Sequence, residues 1–161
     1  MELSSIKHID PSQIADFKAD LFITALGYES RSNTVARKFE NNSCRKIVLE
    51  NKNAIKEFSY QENSNYLETQ GFEIIRVESE IPELDAIFQS LNGDASNVAI
   101  DCTNMPPLWY YEFFKWFDEK QAGEGKVRMR IAYTMANYVR QPGSSKVKEI
   151  FDFLKDEIRP A

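Results

Sequence analysis

Short apolar runs alternate with amphipathic segments along the chain, and this alternation predicts strands separated by helices. Residues 21–26 form a continuous apolar run that stops at Gly27, as expected for a strand that is buried on both faces. Further short runs predict strands at residues 47–49, 72–77, 98–100 and 127–134. The run at residues 98–100 is followed directly by Asp101.

Apolar residues at three- and four-residue spacing predict the helices between these strands. A helix is predicted from Ser30 to Phe39, with Ser30 or Ser32 as its cap. Residues 51–65 are polar and irregular, and we expect a loop there, followed by a short helical end that Gly71 closes. Three further helices are predicted, around residues 84–91, from Pro106 and Pro107 to about Glu119, and through Val147, Ile150, Phe151, Leu154 and Ile158.

This order of elements predicts a three-layer Rossmann-like α/β fold, with a mostly parallel five-stranded sheet flanked by helices. The length of 161 residues suits one domain, and 42% hydrophobic and 28% charged residues are ordinary for a globular chain. We expect a single domain over residues 1–161, with residues 1–19 as an N-terminal arm. The abrupt end at residues 159–161, directly after a predicted helix, suggests a piece of a longer chain.

Charge and residue usage narrow the possible functions. A net charge of -5 argues against duplex nucleic acid as a partner, because such binding relies on neutralising many phosphates. Cys44 and Cys102 lack metal-ligand spacing and fit a reducing compartment. With His8 as the single histidine, we expect no metal site and no Ser-His-Asp triad. No basic apolar leader or membrane-length apolar run is present in the sequence, and we expect a cytoplasmic protein.

Ligands of open parallel sheets bind beyond the carboxyl ends of the strands, and this rule selects three loops. The first loop follows the first strand. Its glycine admits close backbone approach, and its hydroxyls and guanidinium suit a phosphate or carboxylate. The alternative is that Ser30 caps the helix while Glu29 and Arg31 are solvated. The loop is neither a P-loop nor a GxGxxG motif. Its candidate ligand-binding residues are Gly27, Tyr28, Ser30, Arg31 and Ser32.

The second loop begins at Asp101, whose position at the end of a buried strand is costly unless the carboxylate is paired or functional. Thr103 and Asn104 are available to contact a sugar hydroxyl or a base edge. Alternatively, Asp101 and Thr103 satisfy backbone amides that enter the next helix. We favour the functional interpretation, because the first and second loops should open into the same crevice.

The third loop leaves the fifth strand and contains Tyr133, Thr134, Asn137 and Tyr138. These side chains are candidates for stacking on and hydrogen-bonding a base. A core position for Tyr133 is the favoured alternative.

The helix after the fourth strand has more apolar residues than one buried face needs. Its apolar positions are Leu108, Trp109, Tyr110, Tyr111, Phe113, Phe114, Trp116 and Phe117. The excess either packs under a neighbouring helix or forms a dimer surface, and we lean towards a homodimer or protein complex through residues 108–117.

The layout resembles the CARF domains, Rossmann-like sensors of cyclic oligonucleotides in prokaryotic antiviral systems. The similarity lies in Thr24-Ala25-Leu26-Gly27 after the first strand and in Asp101-Cys102-Thr103-Asn104 before an apolar helix. The resemblance implies that Thr24 belongs to the ligand loop and that the apolar helix mediates dimerisation. The loop from Asp101 to Pro107 differs from the family in having no glycine or basic residue.

A second resemblance is to TIR-type domains that cleave NAD. Asp20-Leu21-Phe22-Ile23 and Tyr28-Glu29-Ser30-Arg31 are similar to their opening strand and loop. Trp109-Tyr110-Tyr111-Glu112 is similar to the helix bearing their catalytic glutamate, although here it follows the fourth strand instead of the third.

Taken together, these patterns predict a domain that binds a small nucleotide-type ligand and requires no cofactor. One alternative is a TIR-like hydrolase of NAD or nucleotides, with Asp101, Glu29 and Glu112 as candidate catalytic carboxylates and Asp101 best placed. Another is a non-catalytic subunit of a larger complex.

Overall fold

The computed structural model describes residues 16–77, 97–121, 127–135, 149–152 and 157–160. The strands in this part of the chain are β1 (Leu21–Ala25), β2 (Arg45–Asn51), β3 (Glu73–Val77), β4 (Asn97–Asp101), β5 (Arg128–Ala132), β6 (Glu149–Asp152) and β7 (Glu157–Pro160). The helices are α1 (Tyr60–Thr69), α2 (Pro107–Gln121) and a 3-10 helix (Ala36–Lys38). Neither of these two α-helices has the length and apolar character that crossing a bilayer requires.

The first five strands form one parallel sheet in the order β3-β2-β1-β4-β5, which confirms the predicted fold class. β1 lies at the centre, where Ile23 is level with Ile47 of β2 and with Ile100 of β4. The chain moves outward in one direction from β1 to β3 and then crosses back to place β4 and β5 on the other side. The strand order therefore reverses between β1 and β4.

Alternate residues of the central strands supply two cores on opposite faces of the sheet, as the two-residue period of a strand requires. On one face, Leu21 and Ile23 pack with Trp109 and Phe113 of α2. On the other face, Phe22 packs with side chains of the 3-10 helix and α1. Leu21, Phe22 and Ile23 have 0% exposure, so β1 is buried on both sides as predicted.

The predicted helix from Ser30 to Phe39 is wrong as a regular helix. This segment makes successive turns and then the 3-10 helix, although Val35, Ala36 and Phe39 do face the core as expected. The polar residues at its start use their side chains elsewhere: Ser32 donates to Asn104, and Asn33 donates to Asn63. Short polar side chains that form such bonds compete with regular helix formation.

The predicted loop over residues 51–65 is also wrong in its second half, because α1 begins at Tyr60. The buried residues of α1 are Tyr60, Asn63, Ser64 and Leu67, which have helical spacing. Two of these four inward positions are polar and therefore hid the amphipathic pattern. Their burial is tolerated because their side chains are hydrogen-bonded.

The predicted C-terminal helix is wrong as well, because the described residues there form the antiparallel pair β6–β7. Ile150, Phe151 and Ile158 are β-branched or aromatic residues that favour strands, and local pairing overrides their helical spacing. The predicted helix around residues 84–91 lies outside the described residues.

α1 ends in a Schellman motif, as the predicted closure at Gly71 requires. The amide of Gly71 donates to the carbonyl of Glu68, and the amide of Phe72 donates to the carbonyl of Leu67, both over 3.0 Å. Gly71 has a φ of 74°, which side-chain-bearing residues rarely adopt. Leu67 and Phe72 are both buried, which adds the apolar contact typical of this motif.

We predict that Gly71→Ala lowers the free energy of unfolding by about 1 kcal/mol, because alanine is strained at this φ while open space surrounds the position. Gly71→Asn is the matched control, since asparagine tolerates the left-handed region better than alanine. Urea denaturation of both variants measures the effect. An alanine variant as stable as the wild type would contradict the prediction.

Candidate functional site

A cavity of about 310 Å³ lies at the carboxyl ends of β1, β2 and β4. The strand order reverses between β1 and β4, and such switch points are where open α/β sheets bind ligands. The cavity is therefore where the sequence places the site. Its lining residues are Ala25, Leu26, Gly27, Tyr28, Glu29, Leu49, Asn51, Ala54, Ile55, Thr103, Asn104, Met105, Pro106 and Trp109.

The first two predicted loops meet at this cavity, as expected from the parallel sheet. Gly27 is the point of closest approach between them. A Cβ at Gly27 would lie 2.7 Å from the hydroxyl of Ser32 and closer still to the side chain of Asn104. Ser32 donates to Asn104 Oδ1 over 3.2 Å, which ties the two loops together. Any side chain at this position would have to displace the side chains of Asn104 and Ser32, which join the two loops.

Asp101 is fully buried, and its carboxylate joins three segments of the chain. The hydroxyl of Thr24 donates to Oδ2 over 3.2 Å. The backbone amide of Thr103 donates to Oδ1 over 3.0 Å, and the Thr103 hydroxyl donates to the same oxygen. The amide of Thr134 in turn donates to Thr103 Oγ1 over 2.9 Å, which attaches the segment after β5.

Strand alternation places Asp101 on the opposite face of the sheet from Ala25 and Leu49. The cavity also reaches Leu26 of the other core and Thr103, which is bonded to Asp101, but Asp101 itself does not line it. Ala25 and Leu49, which line the cavity, belong to the core beneath α2. Thr24 and Asp101 alternate with residues of that core along β1 and β4, so their side chains point to the other face of the sheet. The best-placed catalytic candidate from the sequence therefore does not line the cavity, and Thr24 lies with it.

Glu29 and Arg31 form an ion pair in the first loop. Arg31 Nε donates to Glu29 Oε2 over 2.6 Å, and this bond lowers the pKa of Glu29. Arg31 Nη1 also donates to the carbonyl of Thr134, and its guanidinium lies 5.7 Å from the ring centre of Tyr133. Glu29 lines the cavity, whereas Arg31 bridges the first and third loops. Ser30 is exposed and does not line the cavity.

Asn63 of α1 holds the first loop in place, a role that the sequence did not reveal. Its amide nitrogen donates to the carbonyl oxygens of Gly27 and Glu29, each over 2.9 Å. Its amide oxygen accepts a bond from Asn33 over 3.0 Å. A buried asparagine that satisfies two loop carbonyls is a positioning residue. The sequence would have indicated it only if the first turn of α1 had been predicted, since Asn63 then falls on the buried face of that helix.

The sequence also did not identify the contribution of β2. Asn51 ends β2 and lines the cavity with Ala54 and Ile55. The rule that selected the ends of β1 and β4 applies equally to β2, so the signal was present in the sequence.

α2 uses most of its aromatic residues within the fold. Trp109, Phe113 and Trp116 are buried against the sheet, whereas Leu108 and Tyr111 are 38% and 59% exposed. The third catalytic candidate, Glu112, lies 4.0 Å from Lys115 and does not line the cavity.

A second cleft, of about 560 Å³, lies between α1 and the strands β2 and β3. Both basic residues of the cleft, Lys56 and Arg76, form ion pairs with Glu50, whose side chain is 7% exposed. Glu50 accepts hydrogen bonds from the Tyr60 hydroxyl at 2.5 Å, from Arg76 at 2.9 Å and from Lys56 at 3.3 Å. Burial acts to raise the pKa of Glu50, but these bonds outweigh it and lower that pKa. The pairing favours a structural role.

Several predicted features lie elsewhere in the chain. Asn137, Tyr138 and His8 are outside the described residues.

Cys44 and Cys102 are free thiols, and burial together with the charge of Asp101 raises the pKa of Cys102 to about 12. Across residues 16–77, 97–121 and 127–135, no group of three or more histidine, cysteine, aspartate or glutamate side chains is placed to hold a metal ion.

Comparisons with protein-family models, with curated proteins and with solved structures find no significant match for this chain. The resemblances to CARF and TIR-type domains therefore stay predictions.

We predict that Asp101→Asn makes stability less dependent on pH. Burial raises the pKa of Asp101, although bonds from Thr103 and Thr24 oppose that shift. The folded protein thus binds this proton more tightly than the unfolded chain does. The carboxylate consequently lowers the free energy of unfolding as the pH rises above the ordinary aspartate value of about 3.9. Asparagine removes this contribution and still offers an oxygen to Thr103.

Urea denaturation from pH 4 upwards tests this, with the wild type and the variant compared at each pH. Asp101→Ala is the contrasting variant. It leaves the donors of Thr24 and Thr103 without their acceptor and should be about 1–3 kcal/mol less stable than Asp101→Asn at every pH, because neither variant titrates at this position. Parallel pH profiles for the wild type and Asp101→Asn would contradict the assignment.

Proposed function

We propose that this domain binds a nucleotide-derived small ligand in the cavity at the ends of β1, β2 and β4. The observation that carries the proposal is the coincidence of a 310 Å³ cavity with the point where the strand order reverses. That volume falls at the lower end of the range for small-molecule sites.

The lining groups suit the base and sugar of a nucleotide better than its phosphates. Asn51 and Asn104 provide amide groups, which both donate and accept hydrogen bonds as base edges do. Glu29 provides a carboxylate, which accepts hydrogen bonds from sugar hydroxyls. Leu49, Met105 and Trp109 supply apolar contact surface.

Phosphate recognition has weaker support in this cavity. Among the described lining residues, none is lysine or arginine, and the single charged side chain is the acidic Glu29. Arg31, the basic residue of the first loop, is engaged by Glu29 and by the carbonyl of Thr134. α2 begins beside the cavity with Pro106 and Pro107, which have no amide hydrogen to offer an anion. We therefore expect the nucleoside part of the ligand to provide most of the recognition.

A thermal-shift screen with adenosine, AMP, NAD and linear and cyclic oligoadenylates tests this proposal. A ligand at about 100 times its dissociation constant should stabilise the protein by about 2.7 kcal/mol. Asn51→Leu, which removes an amide from the cavity, should abolish the shift. Asn65→Leu is the matched control, because Asn65 is an exposed residue of α1 that does not line the cavity. If no compound shifts the wild type, the interaction-subunit alternative is favoured.

Hydrolysis of an N-glycosidic bond is the second candidate function, and the position of Glu29 favours it. Glu29 is the one carboxylate among the described lining residues, and its lowered pKa keeps it ionised at neutral pH. An ionised carboxylate stabilises positive charge at the sugar carbon as the bond to the base breaks. Water then adds its hydroxyl to that carbon. Its proton passes to the departing base of a nucleoside, or to the solvent when the leaving group is the neutral nicotinamide of NAD.

We predict that, if the protein cleaves NAD, Glu29→Gln lowers turnover at least a hundredfold without lowering the melting temperature. Chromatography of the products after incubation with NAD measures turnover. Glu62→Gln, on the exposed side of α1, is the control and should keep full activity. Turnover that survives in Glu29→Gln would exclude this assignment.

A homodimer through α2, with Leu108 and Tyr111 as its exposed apolar residues, stays a prediction from the sequence.

A further inference from the structure

Phe58 combines two features that are unfavourable for a phenylalanine. Its φ is 51°, and it is the one residue other than glycine with a positive φ in the part of the chain that the structure describes. Its side chain is 83% exposed. A bulky residue in the left-handed region is a backbone outlier, and such outliers cluster at binding and catalytic sites. The surrounding structure must impose this conformation on Phe58.

Hydrogen bonds on the C-terminal side of Phe58 hold it beside the cavity. The amide of Ser59 donates to the carbonyl of Tyr28 over 3.1 Å. Asn63, one turn further along α1, binds the carbonyl oxygens on both sides of Tyr28. These bonds fix the start of α1 against the first loop. The backbone of Phe58, directly before Ser59, must therefore turn sharply to reach this position. Its strained backbone is the consequence of that junction.

The junction places the ring of Phe58 next to that of Tyr28. The two ring centres are 5.9 Å apart, and the ring planes are inclined by 41°. Tyr28 lines the cavity and is 37% exposed, and Ile55 of the segment leading to Phe58 also lines it. Phe58 itself does not line the cavity, but its contact with Tyr28 brings a second solvent-accessible ring to the edge of a lining that carries amides and a carboxylate.

We propose that Phe58 and Tyr28 form the stacking platform for the base of the bound nucleoside, an inference that rests on the proposed function. A nucleobase has a flat apolar face and a polar edge. Because the rings are inclined to one another, the base stacks on one ring and contacts the other, while the amides of the cavity match its edge. The same rings would gain little from ribose, which has no aromatic face. Recognition of the ligand then depends on Phe58, which the sequence analysis placed in an irregular loop.

Isothermal titration with adenosine and with ribose, on the wild type, Phe58→Gly, Phe58→Ala and Phe58→Tyr, tests the proposal. Loss of the ring in the glycine and alanine variants should weaken adenosine binding about tenfold to a hundredfold. Phe58→Tyr retains a ring and should bind adenosine within about threefold of the wild type. Tyr111→Ala removes another exposed aromatic ring, on α2, whose exposure is 59% against 83% for Phe58. Tyr111 is not one of the residues that line the cavity, and the ring pair of Phe58 and Tyr28 is unchanged in this variant, which should bind adenosine as the wild type does.

Thermal melting of the free variants supplies a second readout. Phe58→Gly should melt at a higher temperature than Phe58→Ala, because both lack the ring but alanine retains the strained φ. Equal melting temperatures would overturn the assignment of strain to Phe58.

The binding results separate the two proposals. Adenosine binding by the wild type that is unchanged in Phe58→Gly would overturn the stacking platform and leave the proposed function standing. Absence of binding of any nucleoside or nucleotide to the wild type would overturn both. Ribose binding as tight as that of adenosine would show recognition without the base and would overturn the platform.

Discussion

The parallel pairing of β1 with β2 on one side and β4 on the other is the constraint on which the site depends. It brings the carboxyl ends of three strands to one edge of the sheet, so the segments that follow them must meet there. The complete burial of Leu21, Phe22 and Ile23 fixes β1 between two cores and prevents a shift of register. The cavity is a geometrical consequence of this arrangement.

Hydrogen bonds between buried polar groups complete what the strand pairing begins. The carboxylate of Asp101 collects donors from Thr24 and Thr103, and Thr103 in turn accepts the amide of Thr134. On the other side of the first loop, Asn63 satisfies two carbonyl oxygens. No buried side-chain nitrogen or oxygen among the described residues is left without a partner. Such complete satisfaction gives the loops one arrangement, because any alternative would leave a buried group unpaired.

The polar residues near the strand ends fall into two groups, those that hold the loops in place and those that line the cavity and are available to a ligand. Asp101 had the stronger signal in the sequence, yet it is fully buried and does not line the cavity. Glu29, Asn51 and Asn104 line the cavity. The proposed recognition of a nucleoside depends on these side chains and on the aromatic pair at the edge. All of them lie at the end of a strand, in a loop that follows a strand, or in the segment that leads into α1.

The sequence alone determined the five parallel strands, the helix after β4 and the meeting of the loops that start at Gly27 and Asp101. The buried strands β1, β2 and β4 leave apolar runs in the sequence, and the outer strands β3 and β5 leave a weaker, interrupted apolar pattern. The tertiary structure decided the rest. The end of α1 at Gly71 was predicted, but its first half was not, because the inward residues Asn63 and Ser64 are polar and the partners of Asn63 lie far away in the chain. The partners of Asp101 on β1 and in the loop after β4 followed from the folded structure, and the environment of Phe58 followed from contacts between segments far apart in the chain. Hydrophobic patterning records burial, whereas the partners of a polar side chain are set by the folded chain as a whole.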